Sequence, residues 1–414
     1  MATYKEQNKL NVPHLRFPEF HGEWEKCKVS DLLDFYSTNS LSWDQLEYGT
    51  DNMLNLHYGL IHVGLPTMVD LSKDILPAIK KENEPKNFEL CKEGDIAFAD
   101  ASEDTNEVAK AIEFYTLEDK AVVCGLHTIH GRDKSNKTVV GYKGYAFSST
   151  AFHHQIRRIA QGTKIYSISA KNFDECYIGI PSKEEQTKIA KLLRLIDERI
   201  ATQSKLIEKL ESLIKGINQR VFLNSGINYK IREICEIKSG YSGSQLLSKK
   251  GLKVSRIETI SGHKVNMERV GYVAPFESSE NYRLRVGDIL FSNINSVEYI
   301  GNTAFIDKDY DLYHGMNLLR LTPNNMVVIP FYLYLLLNTN RMLNRFKTVC
   351  NKAVSQASIN QTELGKTVVQ IPPINTQEQI CELYQALYTK LETESHTKSL
   401  FQNQKQYMLR QMFI

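Results

Sequence analysis

Two long stretches of the chain carry apolar residues at alternating spacings of four and three. The first runs without proline from Ser182 to about Leu223, and nine of its ten regularly spaced positions are apolar. Such 3.5-residue periodicity over four to five heptads is typical of a coiled-coil seam, and Ser182 followed by Glu185 predicts a capping box at its start. The predicted seam comprises Ile189, Leu193, Ile196, Ile200, Gln203, Ile207, Leu210, Ile214, Ile217 and Val221.

The chain contains a tandem repeat, and the second long stretch is the repeated copy of the first. Ile180-Pro181, with Gln186 after it, reappears as Ile371-Pro372, with Gln377 after it, at an offset of 371 minus 180, or 191 residues. A period of this size is far above that of solenoid repeats, so each copy should be a domain followed by a long helix.

Adding 191 to the first seam gives a second seam that is apolar at both ends and polar in the middle. If the two helices run antiparallel within one chain, facing residues have numbers that add to about 601, so Gln203 faces Lys398 and Ile207 faces Glu394. A polar centre lowers stability but can fix the register. The alternative is two separate amphipathic helices, each packed on its own domain. The second seam comprises Ile380, Tyr384, Leu387, Leu391, Glu394, Lys398, Phe401, Lys405, Met408 and Met412.

The remaining sequence predicts two globular pieces of mixed α/β structure. Short strands are expected at Lys120–Leu126, Thr138–Tyr142 and Asn302–Phe305, and Val327–Leu337 is expected to form a buried helix. The predicted segments are an N-terminal segment (1–21), a first domain (22–180), a first spacer helix (181–223), a second domain (224–371) and a second spacer helix (372–414).

Each globular piece contains a Gly-Asp-Ile turn that leads into an apolar strand. These turns are Gly94-Asp95-Ile96 and Gly287-Asp288-Ile289. The glycine permits a left-handed turn and the aspartate can accept hydrogen bonds from turn amides. The residues that follow differ, with Ala99–Asp104 in the first copy and Ser292–Ser296 in the second. A shared framework with divergent loops is expected of two modules that recognise different targets.

Composition changes this picture little. A net charge of +3 is too small to indicate a polyanion partner, so binding to nucleic acid would need local positive charge. The seven cysteines include no CxxC pair, which argues against a structural zinc site or a disulfide framework and for a reducing, cytoplasmic location. No apolar run approaches the roughly 18 residues of a membrane span.

Basic, amide and aromatic residues cluster in predicted loops, where they could contact phosphates or base edges. A solvated surface is the alternative for each cluster. The candidate DNA contacts are Lys80, Lys81, Arg132, Lys134, Lys137 and Lys143 in the first copy and Tyr241, Gln245, Lys249, Lys250, Lys253, Arg256, Asn293 and Asn295 in the second.

Motifs for catalysis are missing from the sequence. The chain has no P-loop, no glycine-rich cofactor loop and no Asn/Asp-Pro-Pro-aromatic motif of the kind that adenine and cytosine methyltransferases use. We therefore expect a non-catalytic protein without a metal or cofactor of its own.

The sequence resembles the specificity (S) subunits of type I restriction-modification systems over nearly its whole length. The opening Val12–Phe20 with Trp24, the two Gly-Asp-Ile turns and the two Ile-Pro helix starts are similar to the landmarks of that family. The polar middle of the second helix departs from the family pattern.

The resemblance implies two α/β target recognition domains separated by two long antiparallel coiled-coil helices. In that family each domain reads one half of a split sequence in double-stranded DNA. By resemblance, two modification subunits would supply S-adenosylmethionine and methylate adenine, and restriction subunits would use ATP and Mg. The rival expectation is a two-domain protein-interaction scaffold that dimerises through its helices.

Overall fold

The computed structural model describes residues 11–50, 52–222, 226–352 and 356–414. Residues 1–10 of the predicted N-terminal segment, and residues 223–225 at the predicted end of the first spacer helix, lie outside these ranges. The chain divides into two compact units, one formed by residues up to 205 together with 395–414 and the other by residues 206–394.

The elements of the first copy form a central sheet and a smaller one. The strands are β1 (Glu25–Lys28), β2 (Leu33–Tyr36), β3 (Leu46–Glu47), β4 (Leu54–Leu56), β5 (Met68–Asp70), β6 (Ala78–Ile79), β7 (Ile96–Ala99), β8 (Ala101–Ser102), β9 (Ala111–Thr116), β10 (Val122–Cys124), β11 (Thr128–Asp133), β12 (Tyr166–Ser167) and β13 (Tyr177–Ile180). In the central sheet their order is β2-β11-β7-β9-β5, and in the smaller sheet it is β10-β4-β6-β3. The helices are α1 (Val29–Leu32), α2 (Tyr58–His62), α3 (Lys143–Phe147), α4 (Thr150–Ile159) and α5 (Lys183–Val221).

The second copy repeats the central sheet in the order β15-β21-β18-β20 and has a separate pair of strands, β16 and β17. The strands are β14 (Ile227–Lys230), β15 (Cys235–Ser239), β16 (Leu252–Val254), β17 (Gly271–Val273), β18 (Ile289–Ser292), β19 (Ile294–Asn295), β20 (Thr303–Phe305), β21 (Leu318–Pro323), β22 (Asn351–Lys352), β23 (Ala357–Ser358) and β24 (Val368–Ile371). The helices are α6 (Ile231–Ile234), α7 (Pro330–Leu337), α8 (Asn340–Val349), α9 (Gln361–Lys366) and α10 (Ile374–Gln411).

The two copies share one framework. In each, the strand before the long helix pairs antiparallel with the first strand of the copy, β13 with β1 and β24 with β14. Gln186 and Gln377, both fully buried, fix the start of α5 and α10 in the same way. Gln186 accepts a bond from Val139 N at 2.9 Å and donates to Pro181 O, and Gln377 accepts from Ile329 N at 2.8 Å and donates to Pro372 O. The predicted duplication is therefore confirmed in three dimensions.

Both long helices form as the periodicity predicts, and all 20 predicted seam positions are buried or half-buried. In the first unit, Ile189 and Leu193 of α5 pack in the same core as Leu409 of α10 and Met412, which directly follows that helix. In the second unit, Ile214 of α5 packs in the same core as Ile380 and Tyr384 of α10, with Leu387 and Leu391 against it. Since the start of one helix meets the end of the other in each unit, the predicted antiparallel pairing within one chain is confirmed. Glu394, in the polar middle of the second seam, is 8% exposed.

Three local predictions need correction. Thr138–Tyr142 is a turn and not a strand, because side chains take up its amides: Val139 N donates to Gln186 and Gly141 N to Glu113. Of Lys120–Leu126 only β10 is a strand. Glu185 does not complete a capping box, because its carboxylate accepts two bonds from Arg16 at 2.8 and 2.7 Å. The strand expected at Asn302–Phe305 forms as β20. The buried helix expected at Val327–Leu337 forms as α7, which begins at Pro330.

Candidate functional site

The repeated Gly-Asp-Ile turns hold the central strands of both copies. Gly94 and Gly287 adopt left-handed backbone conformations, with φ of 86° and 96°. Asp95 accepts a bond from Lys92 N at 2.8 Å, and Asp288 accepts one from Arg285 N at 2.9 Å. These bonds confirm the structural role that the sequence predicts for both turns.

Arg132, one of the candidate DNA contacts, belongs to the interior network of the first copy. Its guanidinium donates to Asp95 at 2.9 and 2.8 Å and to Glu89 at 2.5 Å, and it lies over the ring of Tyr36 at 4.7 Å. Burial opposes ionisation of Asp95, but hydrogen bonds from His130 and Arg132 outweigh it and lower the pKa of Asp95. The hydrogen bond to Asp95 in turn raises the pKa of Arg132. Arg132 therefore stabilises the fold of the first copy.

Lys143 is a second candidate that the structure places in the interior. Its side chain is 3% exposed, and its Nζ lies 3.3 Å from Glu113 Oε1 and 2.8 Å from Thr138 Oγ1. Glu113 also accepts bonds from Gly141 N and Gly144 N, so the pair ties α3 to β9. The predicted DNA contact at Lys143 is corrected, because a buried ammonium paired with a carboxylate cannot reach a phosphate.

The other lysine candidates of the first copy lie at the surface in two places. Lys134 and Lys137 pair with Asp34 and Glu25 of the framework, at 3.5 and 2.5 Å. Lys80 donates to the backbone oxygen of Asp44 at 2.5 Å, and the neighbouring Lys81 is exposed. Exposed pairs of this kind contribute little to stability, so these lysines can turn towards a phosphate at small cost.

In the second copy the structure gathers several candidates around β16 and β17. The ring of Tyr241 stacks on Phe276, with centroids 3.9 Å apart and planes 7° apart, and Tyr282 packs edge-on against both rings. Lys253 on β16 pairs across from Tyr272 on β17. The aromatic cluster packs in one hydrophobic core with Val254 of β16 and Val273 of β17, and so stabilises this pair of strands.

Gln245 and Arg256 meet on the exposed side of these strands. A Cβ added at Gly271 would lie 2.8 Å from Gln245 Oε1 and 3.1 Å from Arg256 Cδ, so both side chains lie over this glycine. Lys249 and Lys250 are exposed in the loop that connects Gln245 to β16. We call Gln245, Lys249, Lys250, Lys253 and Arg256 the polar surface of the second copy. It combines side chains that can pair with base edges and with phosphates.

Asn293 follows β18, and Asn295 lies on β19. Asn295 donates to Ser292 Oγ at 3.1 Å and accepts from Ser296 N at 2.8 Å. Asn293 Oδ1 is buried and has no hydrogen-bond partner among the residues that the structure describes. These observations assign no DNA-binding role to Asn293 or Asn295.

Sequence reasoning missed Arg320, a buried cation on β21. Arg320 is 7% exposed and donates to the backbone oxygens of Arg283 and Asn281 at 3.1 and 3.2 Å. No carboxylate lies within ion-pairing distance of it in the described part of the chain. A groove of about 600 Å³ beside it is lined by Arg283 and Arg285 and also by the carboxylates Glu236, Glu280 and Asp288. The signal in the sequence was a lone arginine within the apolar run Leu318–Leu321.

A family profile decides the relationship of this chain to known proteins. The profile of the type I restriction modification DNA specificity domain matches residues 22–212 and again residues 227–400. The chain belongs to this type I DNA specificity family. The two matches correspond to the two copies of the repeat.

Relatives in the type I DNA specificity family include three specificity subunits. The putative type I restriction enzyme MjaX specificity subunit of Methanocaldococcus jannaschii is 36% identical over 193 residues, 45% of this chain and 45% of the relative. The EcoKI specificity subunit of Escherichia coli is 24% identical, over 61% of this chain and 59% of the relative. The MjaVIII specificity subunit of M. jannaschii is 22% identical over 99% of this chain and 96% of the relative. The first two alignments thus span about half of each relative.

Two solved structures show that the fold is that of the type I specificity family. The S subunit of a type I restriction-modification system from M. genitalium superposes with a TM-score of 0.57 at 16% identity, over 97% of this chain and 99% of that one. A chain from a structural study of complex assembly and conformational transition of the type I R-M system gives 0.60 at 15% identity, over 93% and 96%. Within the described residues, no helix is both long and apolar enough to cross a membrane.

Proposed function

We propose that this chain is the sequence-reading subunit of a type I restriction-modification complex and that its two copies read different halves of a split DNA site. One observation carries the proposal: the same framework occurs twice with different insertions. The first copy adds the β10-β4-β6-β3 sheet, and the second adds the β16-β17 strands with their polar surface. Two readers with unlike surfaces are suited to two unlike half-sites.

In the second copy the proposed contact with DNA is the polar surface. Arg256 and Gln245 can each offer a pair of hydrogen-bonding groups to a base edge in the major groove, and the three lysines can bind phosphates.

In the first copy the proposed contacts are the exposed Lys80, Lys81, Lys134 and Lys137. Their present partners are exposed carboxylates and backbone oxygens, which a DNA phosphate can replace. Affinity from such contacts falls steeply with salt, whereas sequence discrimination depends on base-edge contacts.

We further propose that the chain does no chemistry itself and acts in the cytoplasm with partner subunits. Two modification subunits would bind along the paired helices and bring S-adenosylmethionine for adenine methylation, and restriction subunits would bring ATP and Mg. The absence of a P-loop and of methyltransferase motifs from the sequence supports this division of labour. The continuous helices α5 and α10 would set the spacing between the two half-sites.

A domain exchange tests the proposal. Residues 22–180 would be replaced by the corresponding segment of another specificity subunit, and methylated adenines would be mapped across the genome of cells that express the exchanged chain and its partner subunits. We expect one half-site to change while the other half-site and the spacer stay as they were. A change in both half-sites, or in neither, would contradict independent reading by the two copies.

A further inference from the structure

Three side chains that commonly bind metals meet inside the first copy. Cys91, Cys124 and His130 each place a ligand atom within 4.8 Å of the other two. Their exposed fractions are 6%, 2% and 0%, so the cluster is part of the interior and not of the surfaces proposed to contact DNA. The sequence gave no indication of it, because the cysteines are 33 residues apart and form no CxxC pair.

The spacing of the two sulfurs fits coordination of one ion. Cys91 Sγ lies 3.6 Å from Cys124 Sγ. Two thiolates at about 2.3 Å from a tetrahedral zinc ion lie about 3.8 Å apart, so the ion would need only a small adjustment of either side chain.

His130 is held in the orientation and tautomer that a metal ligand needs. Its Nε2 lies 2.8 Å from Asp95 Oδ2, and Asp95 is fixed in turn by Arg132. Since Nε2 donates to the Asp95 carboxylate, the neutral form of the ring has its lone pair at Nδ1. Nδ1 is buried and has no hydrogen-bond partner among the described residues. A carboxylate behind a metal-binding histidine is the usual second layer of such sites, and a buried nitrogen without a partner is otherwise costly.

We propose that Cys91, Cys124 and His130 bind one Zn²⁺, with a water molecule as the fourth ligand. Thiolate and imidazole together favour zinc over the hard cations. Binding releases the thiol protons of both cysteines to solvent, and the two thiolate charges then balance the charge of the ion, as burial requires.

The site would join the insertion of the first copy to its central sheet. Cys124 lies on β10 of the smaller sheet and His130 on β11 of the central sheet, while Cys91 N bonds to Val122 O beside β10. The second copy has no equivalent of this cluster, because Arg320 occupies the position of His130. Gly131 pairs with Ile96 of the first Gly-Asp-Ile turn and Leu321 pairs with Ile289 of the second, so the residues before them, His130 and Arg320, correspond. The zinc would thus stabilise the part of the fold that distinguishes the first reader from the second, and the inference does not rest on DNA binding.

Metal analysis of the full chain tests the site. Protein purified without chelators would be measured by plasma mass spectrometry and, after exchange, by absorption with Co²⁺. We expect about one zinc per chain and, with cobalt, the thiolate charge-transfer band and intense visible bands of tetrahedral coordination. Wild-type protein that binds neither ion, or that contains a Cys91–Cys124 disulfide instead, would overturn the proposal.

Substitutions of the proposed ligands test which residues bind the metal. Cys124→Ser and His130→Ala should lose the stoichiometric zinc and the cobalt bands, whereas Cys176→Ala, which removes another buried thiol of the same unit, should keep both. Retention of the full metal content in Cys124→Ser would also overturn the proposal. Because the cobalt titration uses wild-type protein, the site stays testable even if a variant fails to fold.

Discussion

Lys405 of α10 donates from Nζ to Asp197 of α5 at 2.7 Å, and Asp197 also accepts a bond from the hydroxyl of Tyr145 at 2.9 Å. The numbers of the two helix residues add to 602. In the other unit, the Tyr384 hydroxyl bonds to Asn218, and these numbers also add to 602. Each unit therefore shows the same antiparallel register, which lies within one residue of the register that the heptad pattern predicts.

The first prediction concerns the strength of the Asp197–Lys405 pair. Both side chains are largely buried, with exposed fractions of 20% and 16%, so a double-mutant cycle with Asp197→Asn and Lys405→Met should give a coupling free energy of about 1 to 3 kcal/mol in urea unfolding. The more exposed pair Arg194–Glu198 on the same helix is the control, with about 0.5 kcal/mol expected. Equal coupling for both pairs would show that the helices do not meet at Asp197.

The second prediction concerns the buried glutamines that begin the two long helices. Gln186→Ala and Gln377→Ala should each lower the free energy of unfolding by about 2 to 3 kcal/mol, because each removes the partners of several buried backbone groups. Gln379→Ala, at an exposed position of α10, should change it by less than about 0.5 kcal/mol. A large loss in one copy only would contradict the equivalence of the two helix starts.

The third prediction is a pH dependence of the second unit. Burial, aided by Arg320, lowers the pKa of His314 to about 4. In the unfolded chain this histidine has its ordinary pKa of about 6.5, so between pH 6.5 and 4 the unfolded state binds more protons. Stability is therefore complete above pH 6.5 and falls by about 3 kcal/mol as the pH decreases to 4.

Urea unfolding of wild-type protein and His314→Gln over that pH range measures this effect. The variant cannot titrate, so the difference in unfolding free energy between the two proteins should shrink as the pH falls. His396→Gln, which changes an exposed histidine, should follow the wild-type curve. Parallel curves for wild type and His314→Gln would contradict a neutral buried His314.

The fourth prediction concerns the proposed phosphate contacts of Lys249 and Lys250 on the polar surface of the second copy. Lys249→Ala with Lys250→Ala should weaken binding of the assembled complex to all duplexes alike and reduce the slope of log K against log salt by about 2. Lys366→Ala, on α9, should leave the slope unchanged. An unchanged slope in the double variant would remove these lysines from the DNA interface.

The sequence alone predicts those features that depend on residues close together in the chain. The seam from Ile189 to Val221 follows from heptad spacing, and the turns at Gly94 and Gly287 follow from the φ values that glycine permits. The pairing of Arg132 with Asp95 could not be predicted, because the two residues are 37 positions apart in the sequence and meet only when the strands pair. The proximity of Cys91 to Cys124 likewise arises only when the strands pair.

The antiparallel pairing of α5 and α10 within one chain can be tested directly by crosslinking. A carbodiimide would join Lys405 to Asp197 in protein refolded from an equal mixture of unlabelled and heavy-nitrogen-labelled chains, and mass spectrometry would read the isotope content of the crosslinked peptide. We expect the two halves of that peptide to be both light or both heavy, because they come from one chain. Peptides with one light and one heavy half, in the proportion that random exchange gives, would show that the helices pair between chains.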